Sequence, residues 1–340
     1  MTFDDIFGQE AAIDLLRRAY RADRMPHGVI FAGPTGVGKG TTAGALAALF
    51  LCDKPKADAA CGKCDSCRVM EAGNHPDYHV ITKELIRYHD KTGKSKGIDL
   101  SIHVIVPELV EPATRKAVLA RGKVFVVEQA ELMNAAAQNA MLKTLEEPAG
   151  RTLIVLLTDQ PGSLLPTIRS RCQVFRFAAL PEPLVRQELQ KRGVDAAAAK
   201  DAATLSDGSL GLALKWIEDG VVAAAAELTG RIDAAAAGKG ADDLPGWLKK
   251  AAEAYADKQL ERDKLASKDA ATREGLTLYL RIAAEHVRRE LPTLTDPDAL
   301  EHACATIEII RRAEGYVDEN VNVALVLQQL AASLERQAAA

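Results

Sequence analysis

In the first half of the chain, short apolar runs alternate with longer stretches whose apolar residues recur at helical spacing, the pattern of a layered βα domain. Five runs predict strands: Val29–Ala32, Tyr78–Ile81, Val124–Glu128, Leu153–Leu157 and Val174–Phe177. The first four are nearly continuous in apolar residues and suit strands of a parallel sheet buried on both faces. The fifth is interrupted by Arg176, which predicts an edge position. From Leu180 to about Ile232 the pattern becomes wholly helical, with Pro181 and Pro183 near a helix start and Gly208 and Gly211 punctuating a later helix. The run from Asp233 to Asp243 reads as a linker, although its alanines could extend the preceding helix. Leu244 to Ala340 is helical by periodicity, with polar breaks near Lys268 and at Pro292 to Pro297. Apolar positions such as Leu276, Leu278, Leu280, Ile282 and Ala283, and then Ile307, Ile309 and Ile310, suit a helical bundle. The predicted regions are 1–178, 179–240 and 241–340.

Composition narrows the class. With 340 residues, 48% hydrophobic and 26% charged, the chain can bury the cores of two or three domains and is not disordered. Aromatics are only 4% and alanine is abundant, which favours helix. The net charge of −4 supplies no global positive field for nucleic acid, so any DNA contact is local or shared with partners. The start, Met1 to Asp5, lacks the basic and apolar regions of a signal peptide, and no apolar run reaches the roughly 18 residues of a membrane span. The expectation is a cytoplasmic protein with reduced thiols.

The chemistry begins at Gly33-Pro34-Thr35-Gly36-Val37-Gly38-Lys39-Gly40, a phosphate-binding loop entered by an apolar strand and left by an Ala/Leu-rich helix from Thr41 to about Leu51. Gly33, Gly36 and Gly38 free backbone N–H groups to cradle phosphates, Lys39 reaches the terminal ones, and Thr41 opens the helix whose positive end favours an anion. The residue after the Lys of such a loop is ordinarily Ser or Thr, whose hydroxyl holds Mg²⁺; here it is Gly40. A second nucleotide-site element would be a strand ending in Asp-Glu. The run Val124–Val127 ends in Glu128-Gln129, and a neutral Gln cannot serve as a base, although a strand end capped by polar residues explains the pair equally well.

Cys52, Cys61, Cys64 and Cys67 form C-x8-C-x2-C-x2-C, a spacing that gathers four thiolates around a tetrahedral zinc ion. A redox pair with two spare thiols is the alternative. With four ligands and no neighbouring base, the expected zinc is structural. Cys172 and Cys304 lie outside the cluster and are expected to be small packed residues. The run Lys91 to Lys96 adds local positive charge, expected to be a solvated hairpin tip.

Lys143-Thr-Leu-Glu-Glu-Pro148, Thr158-Asp159 and Ser170-Arg171-Cys172, with the cysteine cluster following the loop helix, resemble the bacterial DNA polymerase III clamp-loader subunits. Phe7-Gly8-Gln9-Glu10, Pro26-His27 and Asn74-His75-Pro76-Asp77 agree, and the resemblance covers about the first 215 residues. It implies an α/β AAA+ P-loop domain with a parallel sheet and a zinc-binding insertion (52–67), followed by an α-helical lid and an α-helical collar. Two kinds of subunit share that layout: gamma/tau motors that hydrolyse ATP, and the delta-prime stator, which does not. Gly40, Glu128, Gln129, and Gly211 where a motor has a phosphate-sensing Arg, favour the stator kind. The resemblance implies that Arg171 reaches in trans to the ATP of a neighbouring motor, with Arg169 its rival on spacing, and that Thr158 occupies the first sensor position. It also implies gamma/tau and delta subunits as partners, the sliding clamp and primed DNA through the complex, structural Zn²⁺, and no intrinsic ATPase; ATP or ADP binding is left open.

Phosphoryl transfer depends on positioning and charge neutralisation. At about 3 kcal/mol for each lost element, two losses would slow turnover roughly 10⁴-fold. The competing readings are a gamma/tau-like motor and an independent zinc-dependent DNA-binding protein; the latter fits poorly with the acid balance.

Overall fold

The structure, a computed structural model, describes residues 2–89, 99–239, 241–262, 267–319 and 321–338. The Lys91 to Lys96 run lies outside them. The chain forms two compact units, one comprising Met1–Glu188 with Ser206–Leu212 and the other Leu189–Leu205 with Ala213–Ala340.

In the first unit, β1 (Gly28–Ala32), β2 (Tyr78–Ile81), β3 (Lys123–Val127), β4 (Thr152–Thr158) and β5 (Gln173–Arg176) form an all-parallel sheet in the order β2-β3-β4-β1-β5. Alternating side chains feed two cores. Val29, Phe31, Val124, Val126, Val155 and Leu157 face one cluster, which includes the helix α2 (Lys39–Leu51). Ile30, Ala32, Phe125, Val127, Ile154 and Leu156 face the other. Burial on both faces is why β1, β3 and β4 read as unbroken apolar runs. β5 lies at an edge, as its Arg176 predicts, and buries only Phe175.

Tyr78–Ile81 departs from the expectation of burial on both faces. β2 pairs only with β3 and is the other edge, so Val80 is 39% exposed. β3 stops at Val127, leaving Glu128 just beyond the strand, where its N–H donates to the Ile81 carbonyl at 3.0 Å.

The second unit is helical. Val221–Ala236, Leu244–Arg262, Lys268–Glu290, Pro297–Asp318 and Val323–Ala338 share one apolar core containing Leu228, Leu248, Leu280, Ile310 and Leu330. The expected linker at Asp233–Asp243 is corrected at its start: the alanines, good helix formers, carry the helix to Ala236, and Gly238 at φ 74° follows its end. Buried Glu314 accepts from Arg281 and Arg311, tying two of these helices by a paired rather than a lone charge. Cys304 is exposed on Pro297–Asp318, contrary to the expected packed position. No helix among the described residues is long and apolar enough to cross a membrane.

Candidate functional site: a closed phosphate-binding loop and a four-cysteine module

The loop leaves the C-terminal end of β1 and enters α2 with Gly38 at φ 104°. Gln9, nearly buried, holds it from below, donating to the carbonyls of Val37 at 3.2 Å and Ala178 at 2.8 Å and accepting from the Ala178 N–H at 3.1 Å. The Lys39 ammonium turns back into the loop, donating to the Pro34 carbonyl at 2.7 Å and to the Gly33 carbonyl. It is 8% exposed, and burial lowers its pKa despite the opposing attraction of Asp159 and Glu131. Glu131, with a buried oxygen lacking a hydrogen-bond partner, is a neighbour that sequence motifs did not single out.

A second segment covers the loop. The Gly211 N–H donates to the Gly36 carbonyl at 2.9 Å, and a Cβ built on Gly211 would lie 2.9 Å from Gly36 Cα. A Cβ on Gly36, at φ 75°, would meet Ser209 Oγ at 2.2 Å. Both glycines are therefore demanded by this close approach. Ser209 also accepts from the Leu212 N–H at 3.1 Å, the capping role that a Ser at a helix start signals. At Gly33 a Cβ would sit 2.1 Å from the Phe177 carbonyl oxygen.

Around the loop, Gly40 and Thr41 are exposed, while Thr42 donates to the Gly38 carbonyl at 2.8 Å. Thr158 is buried and its hydroxyl accepts from the Gln160 N–H at 3.0 Å, so it is engaged in its own turn. Gln129 takes the left-handed conformation at φ 50°. Thr35 donates to Asp159 at 3.3 Å.

Arg171 is paired within its own chain. Its Nε donates to Glu146 Oε1 at 2.6 Å and its Nη1 to the Thr167 carbonyl at 3.0 Å. Both charges are substantially exposed, at 35% and 47%, so water screens the pair. Arg169 is exposed, and its side chain has no ion pair or hydrogen-bond partner among the described residues. Cys172 is packed against Gly28, and burial pushes its thiol up to about 12, as expected of an inert core residue.

The cysteine module is assembled by local turns. α2 ends at Leu51, Cys52 is extended, and Cys64 caps the helix α3 (Asp65–Glu71), its sulfur accepting from the Cys67 N–H. The four sulfurs lie within 4.8 Å of one another, with Cys52–Cys64 and Cys61–Cys67 each at 3.9 Å. Sulfurs about 2.3 Å from a tetrahedral ion are about 3.8 Å apart, whereas a disulfide needs about 2.05 Å. The donor set therefore fits a closed four-thiolate site for a metal such as zinc. N–H groups of Lys63 and Cys64 hold Cys61 down to about 6, while burial pushes Cys67 up to about 12. A cation bound by the four sulfurs would take them as thiolates, so its binding releases protons.

A buried relay fastens the module to the sheet. The Asp77 N–H donates to His75 Nδ1 at 3.1 Å, which places the proton on Nε2; His75 then meets Ser66 Oγ at 3.0 Å, and Ser66 donates to the Leu51 carbonyl at 2.8 Å. Burial lowers the His75 pKa, consistent with this neutral tautomer.

An all-parallel sheet in this order, with a glycine-rich loop between β1 and α2 and a helical C-terminal part, defines an AAA+-type P-loop α/β protein. Within that class, the chain belongs to the DNA polymerase III delta subunit family, whose model matches residues 8–181. The DNA polymerase III subunit delta' of Pseudomonas aeruginosa is 39% identical over 186 residues, covering 54% of this chain and 53% of the relative. That of Escherichia coli is 36% identical over 197 residues, covering 58% and 56%. The subunit tau/gamma of Haemophilus influenzae is 33% identical over 188 residues, covering 55% of this chain and 25% of the relative. The chain spans about half the length of the delta' relatives it matches.

Proposed function

We propose that the chain is a delta-prime-like stator of the DNA polymerase III clamp loader, supporting ATP-dependent loading of the sliding clamp onto primed DNA without hydrolysing ATP itself. The observation that carries this reading is the close approach of Gly211 to Gly36, which leaves no room for an arginine side chain at that position beside the loop. Gly40 and Gln129 likewise supply neither a metal-holding hydroxyl nor a base. In this reading residues 179–240 act as the lid and 241–340 as a collar joining gamma/tau and delta subunits. Arg171 exchanges Glu146 for the γ-phosphate of a neighbouring motor, and its planar fork of donors suits that task. The four-cysteine module holds one structural zinc, which gathers the thiolates and fixes the loop from Cys52 to Cys67.

Steady-state ATP hydrolysis by the isolated chain, with and without primed DNA, tests the stator reading. Turnover about 10⁴-fold below that of a motor subunit is expected from two missing elements at about 3 kcal/mol each. Metal-dependent hydrolysis at motor rates, abolished by Lys39→Ala, would establish the gamma/tau-like alternative.

A further inference from the structure

The phosphate-binding loop sits at the C-terminal end of the sheet. At the opposite end, where β1, β3 and β4 begin, lies a cleft of about 510 Å³, within the size range of ligand pockets. Arg121 and Arg151 stand on its rim as neighbours, because the Lys123 N–H donates to the Arg151 carbonyl at 2.9 Å and brings the two strand starts together. Arg151 is fixed in place: its guanidinium lies 3.9 Å from the Phe50 ring centroid, and Nη1 donates to the Phe50 carbonyl at 2.7 Å. Neither this contact nor any ion pair among the described residues gives Arg151 a carboxylate partner. Arg121 is exposed and has no ion pair or hydrogen bond among the described residues. Asp77 orders the turn leading to it, accepting from the N–H groups of Val118, Leu119 and Ala120 at 2.7–2.8 Å. Asp23 is the only carboxylate in the lining, and Met25, Pro26 and Pro55 provide apolar wall.

We infer that this cleft is a docking site for an acidic peptide segment of a partner protein, with its carboxylates on Arg121 and Arg151 and an apolar side chain against Met25, Pro26 and Pro55. Guanidinium forks match carboxylates in pairs, and two of them outnumber the single acid of the lining. The walls disfavour nucleic acid. Phe50 is buried beneath Arg151, and Arg121 and Arg151 are the only Lys or Arg side chains in the lining, too few to form a track of positive charge along a phosphate backbone. This site is independent of the stator reading, since it lies at the other end of the sheet from Lys39.

The test is fluorescence anisotropy on the whole chain. The probe is a labelled five-residue peptide, three acidic residues followed by leucine and phenylalanine with a free carboxyl terminus. Saturable binding is expected with Kd below about 1 mM, weakened at least about 10-fold by Arg121→Glu, the loss of one charge-assisted contact. Replacing the peptide's leucine and phenylalanine by serine should weaken it similarly, and a twelve-residue oligothymidylate should not displace it. Arg121→Glu should melt like the parent, because the side chain has no partner to lose. Arg151→Ala is the second variant, with the same loss of binding expected. Failure to saturate, equal affinity for the serine peptide, indifference to both arginine variants, or displacement by the oligonucleotide would each overturn the proposal.

Discussion

Asp77→Asn should destabilise the first unit far more than its neutral appearance suggests. In the parent, Asp77 Oδ1 accepts from the Val118 N–H at 2.7 Å and Oδ2 from those of Leu119 and Ala120 at 2.8 Å. Asn keeps one oxygen and turns an NH₂ group toward N–H donors, so at least one backbone N–H is orphaned and the others lose a charged acceptor. At about 1.5–3 kcal/mol for a hydrogen bond to a charged group, losing one or two costs about 1.5–6 kcal/mol. For a domain of this size, at about 2–4 °C per kcal/mol, that lowers the midpoint by roughly 3–24 °C. Trp216 and Trp247 both lie in the second unit, so the measurement is calorimetry with hydrogen exchange at residues 118–120 rather than tryptophan fluorescence. Burial alone would push the Asp77 carboxyl up, but the three N–H groups hold it below its ordinary value. Its contribution is therefore complete above the ordinary carboxylate pKa of about 4 and is lost as pH falls through the lower folded value. The gap between parent and variant should stay constant from pH 7 to about 4 and narrow only as the pH falls further. A midpoint moved by less than about 2 °C at pH 7, or a gap that widens as the pH falls below about 4, would refute this account.

Purified protein should contain one zinc per chain, and Cys64→Ser should lose it by metal analysis while the sheet domain's calorimetric transition survives, because the module is an insertion; no zinc in the parent would contradict the site. Gly211→Arg, which installs the motor's residue, should cost about 1–3 kcal/mol through overpacking on Gly36 and bring no ATPase; unchanged melting would mean the two glycines are not in contact in solution. Arg171→Ala should leave the isolated chain's midpoint within about 0.5 kcal/mol equivalent of the parent, since its pair with Glu146 is exposed, yet cut the stimulated ATPase of the reconstituted complex at the site it serves by about 10³-fold or more. Arg171→Lys should rescue little; full activity of the Ala variant, or a loss seen only with Arg169→Ala, would remove Arg171 from that role.

The order of strands and helices was legible because burial on two faces leaves continuous apolar runs, as in β1, β3 and β4. β2 misled because its apolar residues resemble those of a central strand, and nothing local reports that a strand has only one neighbour. The cysteine spacing announced the module, since ligand geometry is local. What held the module down was not visible: His75 and Asp77 stand out as a motif, but their partners Ser66, Leu51 and Val118–Ala120 are fixed only by the fold. Glu146 was likewise part of a recognised motif, and its pairing with Arg171, 25 positions away, needed the helix end and the strand start to meet. Arg121 and Arg151 carried no signal, because two isolated arginines become a pair only when parallel strands align their starts.

The departures at the phosphate-binding loop are physically connected. Gly211 removes a sensor arginine and, by the same absence of a side chain, permits residues 206–212 to approach Gly36 closely enough for a 2.9 Å backbone hydrogen bond. With the loop so covered, the Lys39 ammonium is withdrawn from water and must be satisfied locally, which the Gly33 and Pro34 carbonyls do. The presence of the lysine is therefore no argument for catalysis. Its hydrogen bonds cross-link the loop's first turn to the first residue of α2. In the stator reading, the loop glycines serve the close approach of residues 206–212, and Lys39 serves the cross-link between the loop and α2.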